Sequence, residues 1–114
     1  MIRTIDFNRL RAGDTVTDQY EDIGLRISAT ANAPGVDQAM VFDTDNPTGG
    51  DADLATDNLG NVLIISEDGD ASDPDDNRSG GTFTFDFATA VTAKSLTFLD
   101  IEAPARIFFY GPDG

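Results

Sequence analysis

At 114 residues, with 39% apolar residues and eight Phe, the chain is long enough for one domain around one core. A formal charge of −14, from 21 acids against 7 bases, argues against nucleic acid and anionic membranes as partners, because both need clustered Lys and Arg. The chain has neither Cys nor His, which excludes disulfides, thiol catalysis and thiolate zinc sites.

Taken in chain order, short apolar runs alternate with turn-rich loops, which predicts an all-β domain. Residues 1–10, MIRTIDFNRL, hold no long apolar run, so neither a signal peptide nor a transmembrane helix is expected there. Residues 4–10 are predicted as a first strand, Ala12-Gly13-Asp14 as a turn, and residues 16–20 as at most one helical turn. GLRISA, residues 24–29, alternates with Leu25 and Ile27 on one face. AMVF, residues 39–42, and VLIIS, residues 62–66, fit short buried strands. TFTFDF, residues 82–87, places Phe83, Phe85 and Phe87 together, and SLTFLDI, residues 95–101, repeats the pattern with Leu96 and Phe98. A last strand is expected over residues 105–110. These elements predict a β-sandwich of jelly-roll type, one module over residues 1–114.

The loops are as informative as the strands. Between Asp43 and Asp76 lie ten Asp and Glu67, with no Lys or Arg. Eighteen of the chain's acids are Asp and three are Glu, and Asp prefers turns and caps to helix interiors. Residues 43–61 and 67–81 contain little that is apolar beyond Leu54 and Leu59, so something else must order them. Two carboxylates about 4 Å apart repel by roughly 1 kcal/mol in water, and more when partly buried. Either the loops are mobile and solvated, or they wrap a hard divalent cation. Calcium takes about six to eight oxygens from carboxylates, Asn side chains, backbone carbonyls and water. Alternating acids put oxygens on one side of an extended segment, and Gly permits the bends. On this reading two or more Ca²⁺ are held by candidates Asp43, Asp45, Asp51, Asp53 and Asp57 in the first loop. Glu67, Asp68, Asp70 and Asp76 are the candidates in the second, within a run that also holds Asp73 and Asp75. The closing-Glu loop of an EF-hand is absent, and magnesium fits an all-protein oxygen cage less well.

Residues 5–28, IDFNRLRAGDTVTDQYEDIGLRIS, carry a DF-x-x-L-x-x-G-x-x-V-x-x-QY pattern before a strand beginning Gly-Leu. This resembles the opening of a class of bacterial secreted and surface modules. FDTDNPTGGDADLATDNLGNVLIISEDGDASDPDDNRSGGTFTFDF, followed by SLTFLDIE, is similar to the same modules. They are calcium-dependent jelly-roll domains of large exported and adhesin-type proteins, often likened to carbohydrate-binding modules. The resemblance covers nearly the whole chain. It implies a calcium-stabilised β-sandwich, and a secreted or cell-surface location within a larger bacterial protein, but no particular activity. In such jelly rolls acids of the first and late strands often meet at a calcium, which makes Asp6, Asp100 and Glu102 a second candidate site. The plain alternative is that Asp100 and Glu102 face solvent at a strand end.

Catalysis is not expected. Without His or Cys only carboxylates, Ser, Thr and Lys94 remain, and no nucleophile–base pair stands out. Asp73-Pro74 is a chemically labile bond, but its ordinary role is a turn. Sugar platforms rely on exposed Trp or Tyr, and this chain offers only Tyr20 and Tyr110, so carbohydrate binding through calcium and Asp or Asn oxygens is kept as an alternative. The closing ARIFFYGPDG joins a strong strand to a hairpin-type turn. In the modules it resembles, further strands follow that turn. The expectation is therefore a sandwich lacking its last strands, whose edge from Ala105 to Tyr110 binds a strand-forming peptide in a calcium-dependent way. A simple frayed terminus on a structural spacer domain is the competing view.

Overall fold

The computed structural model describes residues 3–32, 34–57, 59–99 and 105–111. Among these, β1 (Leu25–Ala31) pairs antiparallel with β4 (Gly81–Phe87), and β2 (Ala39–Asp43) with β3 (Asn61–Ile65). Among the described residues helix is confined to 3-10 turns at Glu21–Ile23 and Ala52–Leu54, which is an all-β arrangement. The helical turn falls just after the predicted residues 16–20, and Gly24 ends it in the left-handed conformation that glycine tolerates.

Side-chain alternation explains how the two sheets share a core. On β1, Leu25, Ile27 and Ala29 are buried while Arg26, Ser28 and Thr30 are exposed. On β2 every residue from Ala39 to Phe42 is buried, so both faces of this strand are covered. Ala39 and Val41 join Val16, Tyr20, Leu25, Ile27 and Ile65 in a first cluster, between the sheets. Met40 and Phe42 point the other way and pack with Ile64 and Leu54. The register agrees, because Ala39 faces Ile65 and Met40 faces Ile64 across the ladder. Leu54, on the second 3-10 turn, is how the long loop after β2 contributes to the core.

The N-terminal segment ties the sheets together. Val16 N–H donates to Ala39 C=O at 2.7 Å, and Gly13 N–H donates to Val41 C=O at 2.8 Å, along the edge of β2. One residue later Thr17 C=O accepts from Ile27 N–H of β1 at 2.9 Å.

Among the described residues three expected strands are absent. Residues 4–10 turn instead: Phe7 has φ +62°, and Asp6 Oδ1 accepts from Asn8 N–H at 3.0 Å. A left-handed residue breaks a strand, and the Asx turn competes with ladder bonding. Residues 95–99 and 105–110 carry strand-like sequence but join no ladder, and all except Leu99 are exposed. Residues 100 and 101, the end of the expected 95–101 strand, lie outside the described residues. The Phe triplet of β4 does share a face with Leu25 and Ile27, yet Phe85 and Phe87 remain 39% and 40% exposed. Among the described residues the second sheet supplies strands opposite β1 but none opposite β4.

Candidate metal centre

The aspartates first do local work. Asp43 Oδ1 accepts from Asp45 N–H, Asp68 Oδ1 from Asp70 N–H, and Asp70 Oδ1 from Ser72 N–H, at 2.9–3.0 Å. Each is an Asx turn, in which a short side chain satisfies a backbone amide two residues on. This chemistry shapes acidic loops without help from a cation. Asp70 also accepts from Ser72 Oγ at 2.6 Å, and these two donors hold its carboxyl below the usual range.

Longer bonds bring the two loops together. Thr48 Oγ1 donates to Pro74 C=O at 2.6 Å, Gly49 N–H to Asp73 Oδ1 at 2.9 Å, and Asp76 N–H to Asp51 Oδ2 at 2.8 Å. Glu67 N–H donates to Asp75 C=O at 3.1 Å, so residues 75–77 run beside the end of β3. Gly49 makes this approach possible. It has φ +65°, and a Cβ there would stand 2.0 Å from Asp75 Cβ.

The result is an electrostatic conflict centred on Asp75. Burial, then the charges of Asp68, Glu67 and Asp51, push its carboxyl from the ordinary 3.8 up to about 6, helped by a carboxyl–carboxyl hydrogen bond to Glu67. That bond exists only while one of the pair carries a proton. Asp75 Oδ1 is buried without a donor. So is Gln38 Oε1, whose residue also packs against the turn following β3, where Ser66 N–H meets Gln38 C=O. Among the described residues no cationic side chain offsets the field at Asp75.

This geometry sorts the candidate ligands. Asp51, Glu67 and Asp68 act on the Asp75 carboxyl, and Asp76 N–H bonds to Asp51 beside it. Asp43 and Asp45 form a turn at the end of β2, while Asp53 and Asp57 are exposed. Asp70 faces its own turn. Asp6 is exposed and caps Asn8, and Asp100 and Glu102 lie outside the described residues. Among the described residues no three acids are close enough as placed to hold an ion. Glu67 and Asp68 are exposed, and Asp68 Oδ1 is engaged by Asp70 N–H. Hard oxygen donors, an uncompensated charge and an unmet buried oxygen suit Ca²⁺.

A concavity of about 390 Å³ lies beside Asp6 and is lined by Arg3, Arg9, Tyr20 and Asp22 among others. Arg9 stacks 4.2 Å over the Tyr20 ring and forms a 3.6 Å ion pair with Asp22. Burial raises the Tyr20 hydroxyl against the opposing pull of Arg9. At 6% exposure and under a guanidinium, this ring offers no platform for a sugar. Tyr110, by contrast, is 76% exposed.

No family model, curated protein or solved structure matches this chain. Among the described residues no helix is long and apolar enough to cross a membrane.

Proposed function

We propose that the chain is a non-catalytic calcium-binding module of the β-sandwich, jelly-roll type, exported or displayed as part of a larger protein. The observation that carries this reading is the Asp75 carboxyl, half-buried among Asp51, Glu67 and Asp68 with one oxygen unmet. A divalent ion at this point would neutralise the cluster and hold the loop after β2 to the loop after β3. Asp75, Asp51, Glu67 and Asp68 would be its acidic ligands, with Asp76 beside them. The role of the ion is structural, as a cross-link between two loops that otherwise repel.

The module's partner on this reading is a strand-forming peptide. Within the first sheet β4 is bonded to β1 alone among the described residues, and Phe85 and Phe87 extend past the shared core. An added strand with alternating apolar residues would satisfy the edge amides and cover those rings. Ordered loops would shape this edge, so binding would fall on chelation. Melting in EDTA and in millimolar Ca²⁺, with Mg²⁺ as control, tests the calcium reading. A calcium-specific rise of several degrees is expected, and superimposable curves refute it. A synthetic strand peptide titrated with and without EDTA tests the partner separately.

A further inference from the structure

We infer that Asp86 selects the incoming strand and fixes its register by pairing with a Lys or Arg of the peptide. This inference rests on the strand-forming partner proposed above and names its chemistry. The β1–β4 ladder decides which groups of β4 meet that partner. Asn32 N–H donates to Gly80 C=O at 3.0 Å, and Ala88 N–H donates to Gly24 C=O at 2.7 Å. Even-numbered residues of β4 therefore bond to β1, and Gly81, Phe83, Phe85 and Phe87 turn their backbone groups to the free edge. Side chains alternate in the same step. Phe83, Phe85 and Phe87 lie on the inner face, and Thr82, Thr84 and Asp86 on the outer one.

A strand that pairs antiparallel, as both ladders of the domain do, sets its residues directly opposite these. Those opposite Phe85 and Phe87 meet rings that are still 39% and 40% exposed. The residue opposite Asp86 meets a carboxylate. Arg26 stands across the ladder from Asp86, but its guanidinium pairs with Glu21 at 3.3 Å. Among the described residues Asp86 has no ion pair or hydrogen bond. It is the one acid on β4, and the other outer positions shown here are Thr82 and Thr84. A peptide acid at this point would set like charges opposite each other, in a chain already at −14. A Lys or Arg is favoured there and only there, because a slip of two residues carries it from Asp86 to Thr84 or past the end of the strand. The partner is thus a strand with apolar residues at alternate positions and a base opposite Asp86.

Two isomeric peptides test it in millimolar Ca²⁺. Both alternate valine with threonine and carry one lysine in place of a threonine, near the N-terminus in one and near the C-terminus in the other. Their net charge is the same, so general attraction to an acidic chain cancels. In an antiparallel pairing only the N-terminal lysine reaches Asp86 with the rest of the ladder formed. That isomer should bind up to about fivefold more tightly, the size of a cross-strand charge pair. Asp86→Asn, an exposed change that should leave melting as in the parent, should make the two isomers equal. With Asp86→Lys the preference should pass to the peptide that carries glutamate at the same N-terminal position. Equal binding of the lysine isomers to the parent overturns the inference while leaving the strand partner standing. So does a preference that survives Asp86→Asn, or one for the C-terminal lysine. Failure of every peptide to bind removes the strand partner itself, and this inference with it.

Discussion

Residues 43–80 and residues 88–111 invert what their compositions suggest. The first region is dense in like charge and poor in apolar side chains, yet it is threaded by hydrogen bonds. Thr44 Oγ1 reaches Thr56 and Gly60 carbonyls, Asn77 N–H reaches Ile65, and Asp51 and Asp73 accept amides from the opposite loop. The second region holds Val91, Leu96, Phe98 and the 107–110 run, and these side chains stand exposed without a ladder. Local order here follows the availability of partners for the backbone more closely than it follows hydropathy. Asp supplies such partners from its own side chain. An apolar strand needs a neighbouring strand to supply them.

The acidic region is sensitive at the point where its loops touch. Gly49→Ala forces a methyl against Asp75 Cβ and strains a left-handed residue. It should cost on the order of 1–3 kcal/mol, as overpacking does, and lower the melting point in calcium and in EDTA alike. An unchanged melting point would show that the two loops do not meet there.

Asp75→Asn separates repulsion from ion binding, because it removes charge while keeping shape. In EDTA at neutral pH the variant should melt higher than the parent, since the field of Asp68, Glu67 and Asp51 no longer opposes it. In calcium the order should reverse, with the variant losing most of the ion's stabilisation, about 2.7 kcal/mol per site at 100 times Kd. A variant more stable in both conditions would mean the acids only repel one another.

The same carboxyl sets a pH dependence. Its folded pKa, about 6, lies above the ordinary 3.8, so the folded state holds the proton more tightly. Stability from this group is full below 3.8 and is lost as pH rises through about 6. In EDTA the unfolding free energy should fall across that window, by no more than about 1.4 kcal/mol per pH unit. Asp75→Asn should flatten the slope, and a parent with no slope contradicts the assignment.

Asp70, five residues earlier, gives the smallest effect and the opposite sign. Its carboxyl is held low by the Ser72 hydroxyl and amide, so its contribution is present above the ordinary pKa and lost as pH falls. Ser72→Ala should move the Asp70 titration upward in carboxyl-detected magnetic resonance while Asp75 stays where it was.

Much of the fold was legible. The strands at 25–31, 39–43, 61–65 and 81–87 follow from alternation or from apolar runs bounded by turns. What pattern could not supply was the partner. Phe83, Phe85 and Phe87 do share the inner face, but whether that face is covered depends on a strand elsewhere in the chain. At residues 4–10 the Asx turn at Asp6 and the left-handed Phe7 outweigh strand propensity. Of the acids near Asp75, spacing singled out Asp51, Glu67, Asp68 and Asp76 as candidates, whereas Asp75 itself was not among them. Its importance comes from a contact across 26 residues with Gly49, which no local spacing encodes. The paired Gly49-Gly50 was the available signal, since a glycine without a local reason often marks where another backbone comes close.

A divalent ion is expected to relieve the field around Asp75. Titrating calcium calorimetrically into the parent and into Asp75→Asn, at fixed pH near 7 and with matched magnesium runs, tests it most directly. The parent should bind calcium saturably and magnesium more weakly, and the variant should lose at least one site. Identical calcium isotherms for parent and variant, or no heat from either, would contradict it.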